Sequence, residues 1–364
     1  MPRLRDNHIA VTFDMGGCPN RCKHCWIGHL NNKKMDIEIV KDIVNKFREY
    51  KVEDMNSPYF RKILVNTWFR EPDYLQNYKE LYDLEKELGD EIVRFELMSI
   101  WRIARDKEYV KWAKSIGTEK CQITFFGLEE NTDYFAGRKG AFKDNLIATE
   151  KLIEEDIVPR WQLFLNEKNK HELDDFVKII EDLDLENKVK SMGKEFEIYV
   201  YIPAPDGEAF NLEEIRPKED IFDLIPPYLK NKTLKHFEAE DMREALGYKE
   251  KELLPMLLED NGCLNDYPPI LSLMVTSDLE VYCNAGEIMP WWSLGNLNSD
   301  SVESVMDNYI NNKPLGLKLM YETPISKLAR EFGDFKGEKV YNKEDLIRKY
   351  IRMYGEKYND LLPR

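Results

Sequence analysis

The sequence predicts an α/β protein: an open, partial (β/α)6 barrel followed by a small α+β extension and a helical tail. Three observations carry this reading. Six apolar segments of strand length alternate with helical segments between residues 8 and 202. The alternation stops at Pro203-Ala204-Pro205-Asp206-Gly207, where Pro and Gly are dense enough to mark a boundary. A hairpin-like stretch, Leu271–Cys283, then stands among helical ones. Six βα units are too few for the closed eight-stranded barrel, so an open form is expected. The division that follows is 1–205 for the barrel, 206–310 for the extension and 311–364 for the tail.

Taken in order, His8–Asp14 reads as a strand, and Met15-Gly16-Gly17 breaks it and opens a loop with three cysteines. Ile37, Val40, Ile43, Val44 and Phe47 fall at helical spacing and predict a helix over Asp36–Tyr50. Strands are expected at Lys62–Asn66, Glu91–Met98, Lys120–Phe126, Val158–Leu165 and Phe196–Ile202. The helices between them are expected at Tyr74–Leu88, Glu108–Ser115, Ala141–Glu155 and Glu172–Leu183. Beyond the boundary, helices are expected near Glu219–Leu229, Asp241–Leu258, Ser301–Asn311 and Lys343–Tyr354, with Ser277-Asp278 at the hairpin turn.

Composition narrows the function classes. The 364 residues are 43% hydrophobic and 33% charged, a balance that supports a real core. A formal net charge of −15 repels phosphate backbones, so nucleic acid is not expected as a partner. No apolar run approaches the ~20 residues of a membrane helix, and no signal-peptide pattern follows Met1. A cytoplasmic protein without a membrane partner is expected. In a reducing compartment, clustered thiols point to metal or catalysis rather than to disulfides.

The cysteines supply the sharpest signal. Gly17-Cys18-Pro19-Asn20-Arg21-Cys22-Lys23-His24-Cys25-Trp26 has the spacing C-x3-C-x2-C. A cubane iron–sulfur cluster with a complete protein ligand set takes four thiolates. Three thiolates cap three irons and leave the fourth open to a small molecule. Two other readings stay open on these residues alone. One is a zinc site completed by Cys263 and Cys283 or by His24 and His29. The other is an electron-carrier cluster completed by a distant cysteine.

The loop resembles the C-x3-C-x-aromatic-C signature of the radical S-adenosylmethionine (SAM) superfamily, with His24 in the aromatic place. Trp68-Phe69-Arg70-Glu71-Pro72 resembles the family's Gly-Gly-Glu-Pro segment after the second strand, with both glycines replaced. The stretch from Cys121 to Asp133, with Gly137-Arg138-Lys139-Gly140-Ala141-Phe142, is similar to the corresponding region of members with a SPASM or twitch extension. The resemblance implies a TIM-like partial barrel with a [4Fe–4S] cluster on Cys18, Cys22 and Cys25. It also implies SAM held by Glu71, with Thr124, Ser99, His24, Gln162 and Ile202 as further cofactor contacts. The implied reaction is reductive cleavage of SAM to a 5′-deoxyadenosyl radical that abstracts hydrogen from a substrate, with a flavodoxin- or ferredoxin-type protein as electron donor.

Strand alternation adds candidates for the substrate. Arg160 and Gln162 share one face of the fifth strand, and Tyr199 and Tyr201 one face of the sixth. If that face is the interior, Arg160 and Tyr201 are the catalytic candidates. Otherwise Trp161, Leu163, Val200 and Ile202 point inward. Asp206 and Glu208 are candidates for binding a polyol or amine.

In the last third, Leu273–Cys283 and Ser293-Leu294-Gly295-Asn296-Leu297 resemble the hairpin and exit of a SPASM or twitch domain. Cys263 and Cys283 match its first two cysteines. No cysteine follows Cys283, so loss of the auxiliary cluster is expected, with Cys121 or non-cysteine ligands as the alternative. The short stretch before the cysteine loop leaves no room for a leader-binding domain. These two points favour a small polar substrate, sugar- or aminocyclitol-like, undergoing dehydration or epimerisation as in radical SAM diol-dehydratases of aminoglycoside pathways. A peptide- or protein-modifying maturase is the alternative.

Overall fold

The structure is a computed structural model that describes residues 7–52, 56–92, 96–264, 270–283 and 287–358. Among these the strands are β1 (His8–Phe13), β2 (Lys62–Asn66), β3 (Lys120–Phe125), β4 (Val158–Phe164) and β5 (Glu197–Tyr201). They continue with β6 (Tyr248–Lys249), β7 (Leu271–Val275), β8 (Glu280–Cys283), β9 (Ser293–Asn296) and β10 (Val340–Tyr341).

Two parallel arrays form the centre. β3, β4 and β5 pair in parallel, with Ile123 opposite Trp161 and Trp161 opposite Ile198. β1 pairs in parallel with β2 on one side and with β7 on the other, so the sheet order is β2-β1-β7-β8-β9. The hairpin β7–β8 forms where the sequence places it, turning through Ser277-Asp278. It does not stand apart: β7 lies directly on β1, Val11 opposite Leu273.

The third strand expected at Glu91–Met98 falls in part outside the described residues. Residues 93–95 lie outside the described residues, and the rest makes two isolated ties. Glu91 bridges in parallel to Leu64, and Gln122 N–H donates to the Glu96 carbonyl at 2.8 Å. These ties reach β2 at one end and β3 at the other. The segment ends at Ser99, which caps a six-residue helix, Ile100–Arg105.

Alternation decides which face holds the core. Cys121, Ile123 and Phe125 of β3, Trp161 and Leu163 of β4, and Ile198 and Val200 of β5 are buried under the surrounding helices. Phe125 and Trp161 have ring centres 4.4 Å apart, and the Trp161 indole N–H donates to Thr149 Oγ1 at 2.9 Å. The opposite, inner face is polar. That face carries Arg160, Gln162, Tyr199 and Tyr201. Ile202, just past β5, is buried as well.

Helices follow the expected periods where the apolar stripe is strong. Ile37–Glu49 starts at Asp36, whose carboxylate accepts the Glu38 N–H at 2.9 Å, and buries Val40, Ile43, Val44 and Phe47. Two expected helices are broken. The one near Glu219–Leu229 is a 3-10 turn, Glu219–Leu224, followed by a helix from Pro227 to Phe237, because Pro226-Pro227 cannot continue a helix. The one at Asp241–Leu258 splits into Met242–Leu246 and Glu250–Glu259 at Gly247. Gly247 has φ +115°, and a Cβ there would lie 2.2 Å from the Tyr341 backbone. β10 crosses at that point and pairs with β6. No helix of the described residues is long and apolar enough to cross a membrane.

Candidate functional site

The three cysteines sit on the loop that leaves β1, and this loop is pinned at several points. Gly17 has φ +91°, and a Cβ there would meet Asn32 Oδ1 at 2.1 Å, so the turn requires glycine. Asp14 accepts the Gly17 N–H at 3.1 Å. Asn32 donates to the Cys18 carbonyl at 2.9 Å. Farther along, Arg21 and Lys23 N–H groups donate to the Ala136 and Phe135 carbonyls at 3.1 and 2.8 Å. They dock the loop on the end of the helix Glu129–Ala136. At its far end the Cys25 carbonyl accepts the Glu208 N–H at 2.9 Å.

The segment after β2 comes to the same place. Glu71 N–H donates to the Gly17 carbonyl at 3.2 Å, and the Tyr74 hydroxyl to the Gly16 carbonyl at 2.9 Å. Glu71 Oε1 accepts the Ser99 hydroxyl at 2.5 Å, and Oε2 accepts Asn20 Nδ2 at 3.3 Å. Cys18 Sγ lies 3.7 Å from Glu71 Oε2. Cys18, Glu71 and Ser99, from three separate stretches of chain, therefore meet around one carboxylate. Burial pushes the Glu71 carboxyl up to about 7. Ser99 also accepts the Arg102 N–H at 3.3 Å, so its hydroxyl is held by the protein at both ends.

The two glycines missing from the Glu-Pro segment leave no strain. Neither Phe69 nor Arg70 is among the residues with positive φ. Phe69 is buried in the core. Arg70 fills the space instead: its guanidinium meets Asp14 and donates to the carbonyls of Leu30 and Asn31 and to Asn32 Oδ1, at 2.9, 2.9 and 3.0 Å. This brace was not legible in the sequence, where Arg70 registers only as a departure from a motif.

His24 turns inward. Its ring packs on Phe126 and Phe164, with centres 4.4 and 4.5 Å apart, and Nδ1 is buried without a hydrogen-bond partner. Burial lowers its pKa to about 3, so the ring is neutral. It forms one wall of a cavity lined also by Leu165, Asn166, Ile202 and Arg216. His24 and Ile202 thus share one pocket.

The inner face of β3–β5 is layered. Uppermost, toward the strand ends, Thr124 Oγ1 donates to Gln162 Oε1 at 3.4 Å, and Tyr201 packs on Phe164. Burial pushes the Tyr201 phenol up to about 12. One layer down, Gln122 Oε1 accepts from Arg160 and from the Tyr199 hydroxyl at 2.9 and 3.0 Å. Arg160 also pairs with Glu96 at 2.6 Å. Arg160 is therefore committed to its neighbours a layer below Thr124, while Tyr201 stands in the top layer beside the wall that His24 packs against.

Other candidates take different places. Glu208 is bound into the cysteine loop, accepting the His29 N–H at 3.2 Å. Asp206 is half-buried, and loss of solvation raises its pKa against the pull of Arg348, Arg352 and Arg216. Cys121 lies on the apolar face of β3, buried with Ile123 and Phe125. Cys283 is buried on β8, and Cys263 is half-buried beyond the helix Glu250–Glu259.

The donor set on the loop suits a cubane. Among the described residues no three His, Cys, Asp or Glu side chains converge on one point as a single metal ion needs. A cubane takes each thiolate on a separate iron. Burial raises the Cys18, Cys22 and Cys25 thiols, and Glu71 adds to the rise at Cys18 and Cys22. Thiols so placed become thiolates when cationic iron sits on them.

No protein-family model and no curated protein matches the chain. Solved structures do. Native anSMEcpe with bound AdoMet and Cp18Cys peptide is similar at a TM-score of 0.53 and 13% identity, covering 98% of this chain and 100% of that one. Native anSMEcpe with bound AdoMet is similar at 0.52 and 13%, covering 97% and 100%. The chain thus has, over nearly its whole length, the fold of anSMEcpe, a protein solved with AdoMet bound.

Proposed function

We infer that this chain is a radical SAM enzyme that holds a [4Fe–4S] cluster on Cys18, Cys22 and Cys25 and SAM between Glu71 and the wall containing His24 and Ile202. The observation that carries the reading is the meeting of Cys18, Glu71 and Ser99. Three segments separated in sequence converge there on one buried carboxylate. When bound, cluster and SAM together supply a one-electron cleavage and an organic radical that takes hydrogen from a substrate. The protein's part is orientation and exclusion of water. Glu71 offers a carboxylate to a cationic amino group, His24 a neutral ring, and Thr124 and Gln162 a polar floor. The ties from Glu91 and Glu96 support reading β1–β5 and the 91–98 segment as a partial (β/α)6 barrel open at these residues.

For the substrate, a peptide or protein is the reading we favour. A structure of the same fold carries the Cp18Cys peptide. Of the two residues set aside for a sugar-like ligand, Glu208 is bound into the cysteine loop. The test is anaerobic reconstitution, reduction with SAM present, and mass spectrometry for 5′-deoxyadenosine, beside a Cys18/Cys22/Cys25→Ala control. Product that persists in the control defeats the assignment. A screen in which sugars and aminocyclitols are turned over and peptides are not reverses the substrate reading.

A further inference from the structure

The cysteine loop is basic in an acidic protein. The chain has a formal net charge of −15, yet residues 15–35 contain Arg21, Lys23, Lys33 and Lys34 and no Asp or Glu. Two of these cations flank Cys22. Their backbones dock on the helix Glu129–Ala136, and more cations gather there. Lys23 Nζ and Lys168 Nζ lie 4.7 and 4.9 Å from the centre of the Tyr134 ring. Tyr134 is 50% exposed. Lys139 is exposed just beyond Gly137, where a Cβ would lie 2.3 Å from the Arg21 carbonyl. Trp26, beside Cys25, is 46% exposed. Among the described residues none of Arg21, Lys23, Lys139 or Lys168 has a carboxylate partner. Glu129 and Glu130 stand at the other end of the helix.

The chemistry asks for a partner at this place. The reaction inferred above consumes one electron per SAM cleaved, and nothing in this chain supplies it. We propose that the face made by Lys23 and Lys168 around Tyr134, with Lys139 exposed just past the end of the same helix, is the docking surface for an acidic one-electron donor protein. One electron leaves the reduced donor and enters the oxidised cluster beneath Cys22. No bond is made or broken, and the oxidised donor departs. The sign of the patch steers an acidic partner toward the loop while the rest of the surface repels it. Tyr134, flanked by two ammonium groups, supplies a flat contact at its centre. The proposal rests on the cluster reading above.

The test uses reconstituted holoenzyme and two reductants: an acidic flavodoxin in its reduced form, and photoreduced deazaflavin, which needs no docking. Cluster bleaching is followed by stopped flow in wild type and in Lys139→Glu/Lys168→Glu, two exposed positions outside the cysteine loop. At low ionic strength the variant should lose roughly tenfold or more of the flavodoxin rate, the gap should close as salt is raised, and the deazaflavin rate should stay. An unchanged flavodoxin rate overturns the proposal. So does an equal loss with both reductants, or an unchanged rate with weakened binding of an acidic peptide, which assigns the face to substrate. A wild-type chain that takes up no cluster removes the enzymatic reading and this one together. A normal cluster with an indifferent flavodoxin rate removes only this one.

Discussion

Arg70 Nη2 lies 2.7 Å from Asp14 Oδ2, in a pair whose side chains are 4% and 1% exposed. The same Asp14 holds the Gly17 N–H, so this ion pair sets the first turn of the cysteine loop. Removing one partner of a buried pair leaves the other charged and without compensation, which costs about 3–5 kcal/mol. Arg70→Gly, which restores the residue type of the related motif, should therefore destabilise the protein by that order in chemical denaturation. It should also lower iron content after reconstitution. A variant of wild-type stability and full iron content would show the brace to be dispensable.

Glu71 separates cofactor binding from cluster assembly. It contributes no thiolate, so Glu71→Gln should keep wild-type iron and sulfide. It should lose the charge-assisted contact to an amino group, worth about 1.5–3 kcal/mol, or roughly 10- to 100-fold in SAM affinity. Equilibrium binding of SAM to the reconstituted variant measures this. Unchanged affinity would remove Glu71 from the binding role.

The local part of this site was legible because its signals are local. The spacing of Cys18, Cys22 and Cys25 and the Glu71-Pro72 pair are contiguous in sequence, and the period of two in β3–β5 named the shared face of Arg160, Gln162, Tyr199 and Tyr201. The face itself, inner or outer, was not decided by the period. The helix Glu129–Ala136 was missed because its eight residues are weakly amphipathic and its N-cap, Leu128, offers no side-chain acceptor. The pairing of β1 with β7 joins residues more than 250 apart, and no pattern in either strand announces it. Arg160 was a catalytic candidate only on the condition that its face is the interior. Its partner Glu96 lies far away in the sequence, so no local pattern announces the pair.

Gly207 ties the boundary loop to the cysteines. It has φ +55°, and a Cβ would lie 2.4 Å from the carbonyl oxygens of both Cys25 and Trp26. Gly207→Ala must push that carbonyl pair away, at about 1–3 kcal/mol. Cys25 is displaced with it. The expected result is a modest loss of thermal stability with an altered electron paramagnetic resonance spectrum of the reduced cluster. A spectrum identical to wild type would mean that the loop gives elsewhere.

Asp345 makes stability depend on pH in a definite direction. Burial pushes its carboxyl up to about 6, with Asp206 adding to the rise and Arg216 and Arg348 opposing it. Only 7% of the residue is exposed. The native state therefore holds the proton more tightly than the unfolded chain does. Its contribution is fully present below the ordinary aspartate range and is lost as pH rises through about 6. Asn cannot titrate, and it keeps an acceptor for Asn342 Nδ2, which donates to Asp345 at 2.8 Å. Asp345→Asn should thus gain on wild type as pH rises from 4 to 8, by up to about 3 kcal/mol, with most of the gain complete by pH 7. Denaturation curves for both proteins at each pH measure the difference. Curves that stay parallel would place the carboxylate in contact with enough positive charge to remain ionised throughout, which would make the Arg216 and Arg348 side of the balance the stronger one.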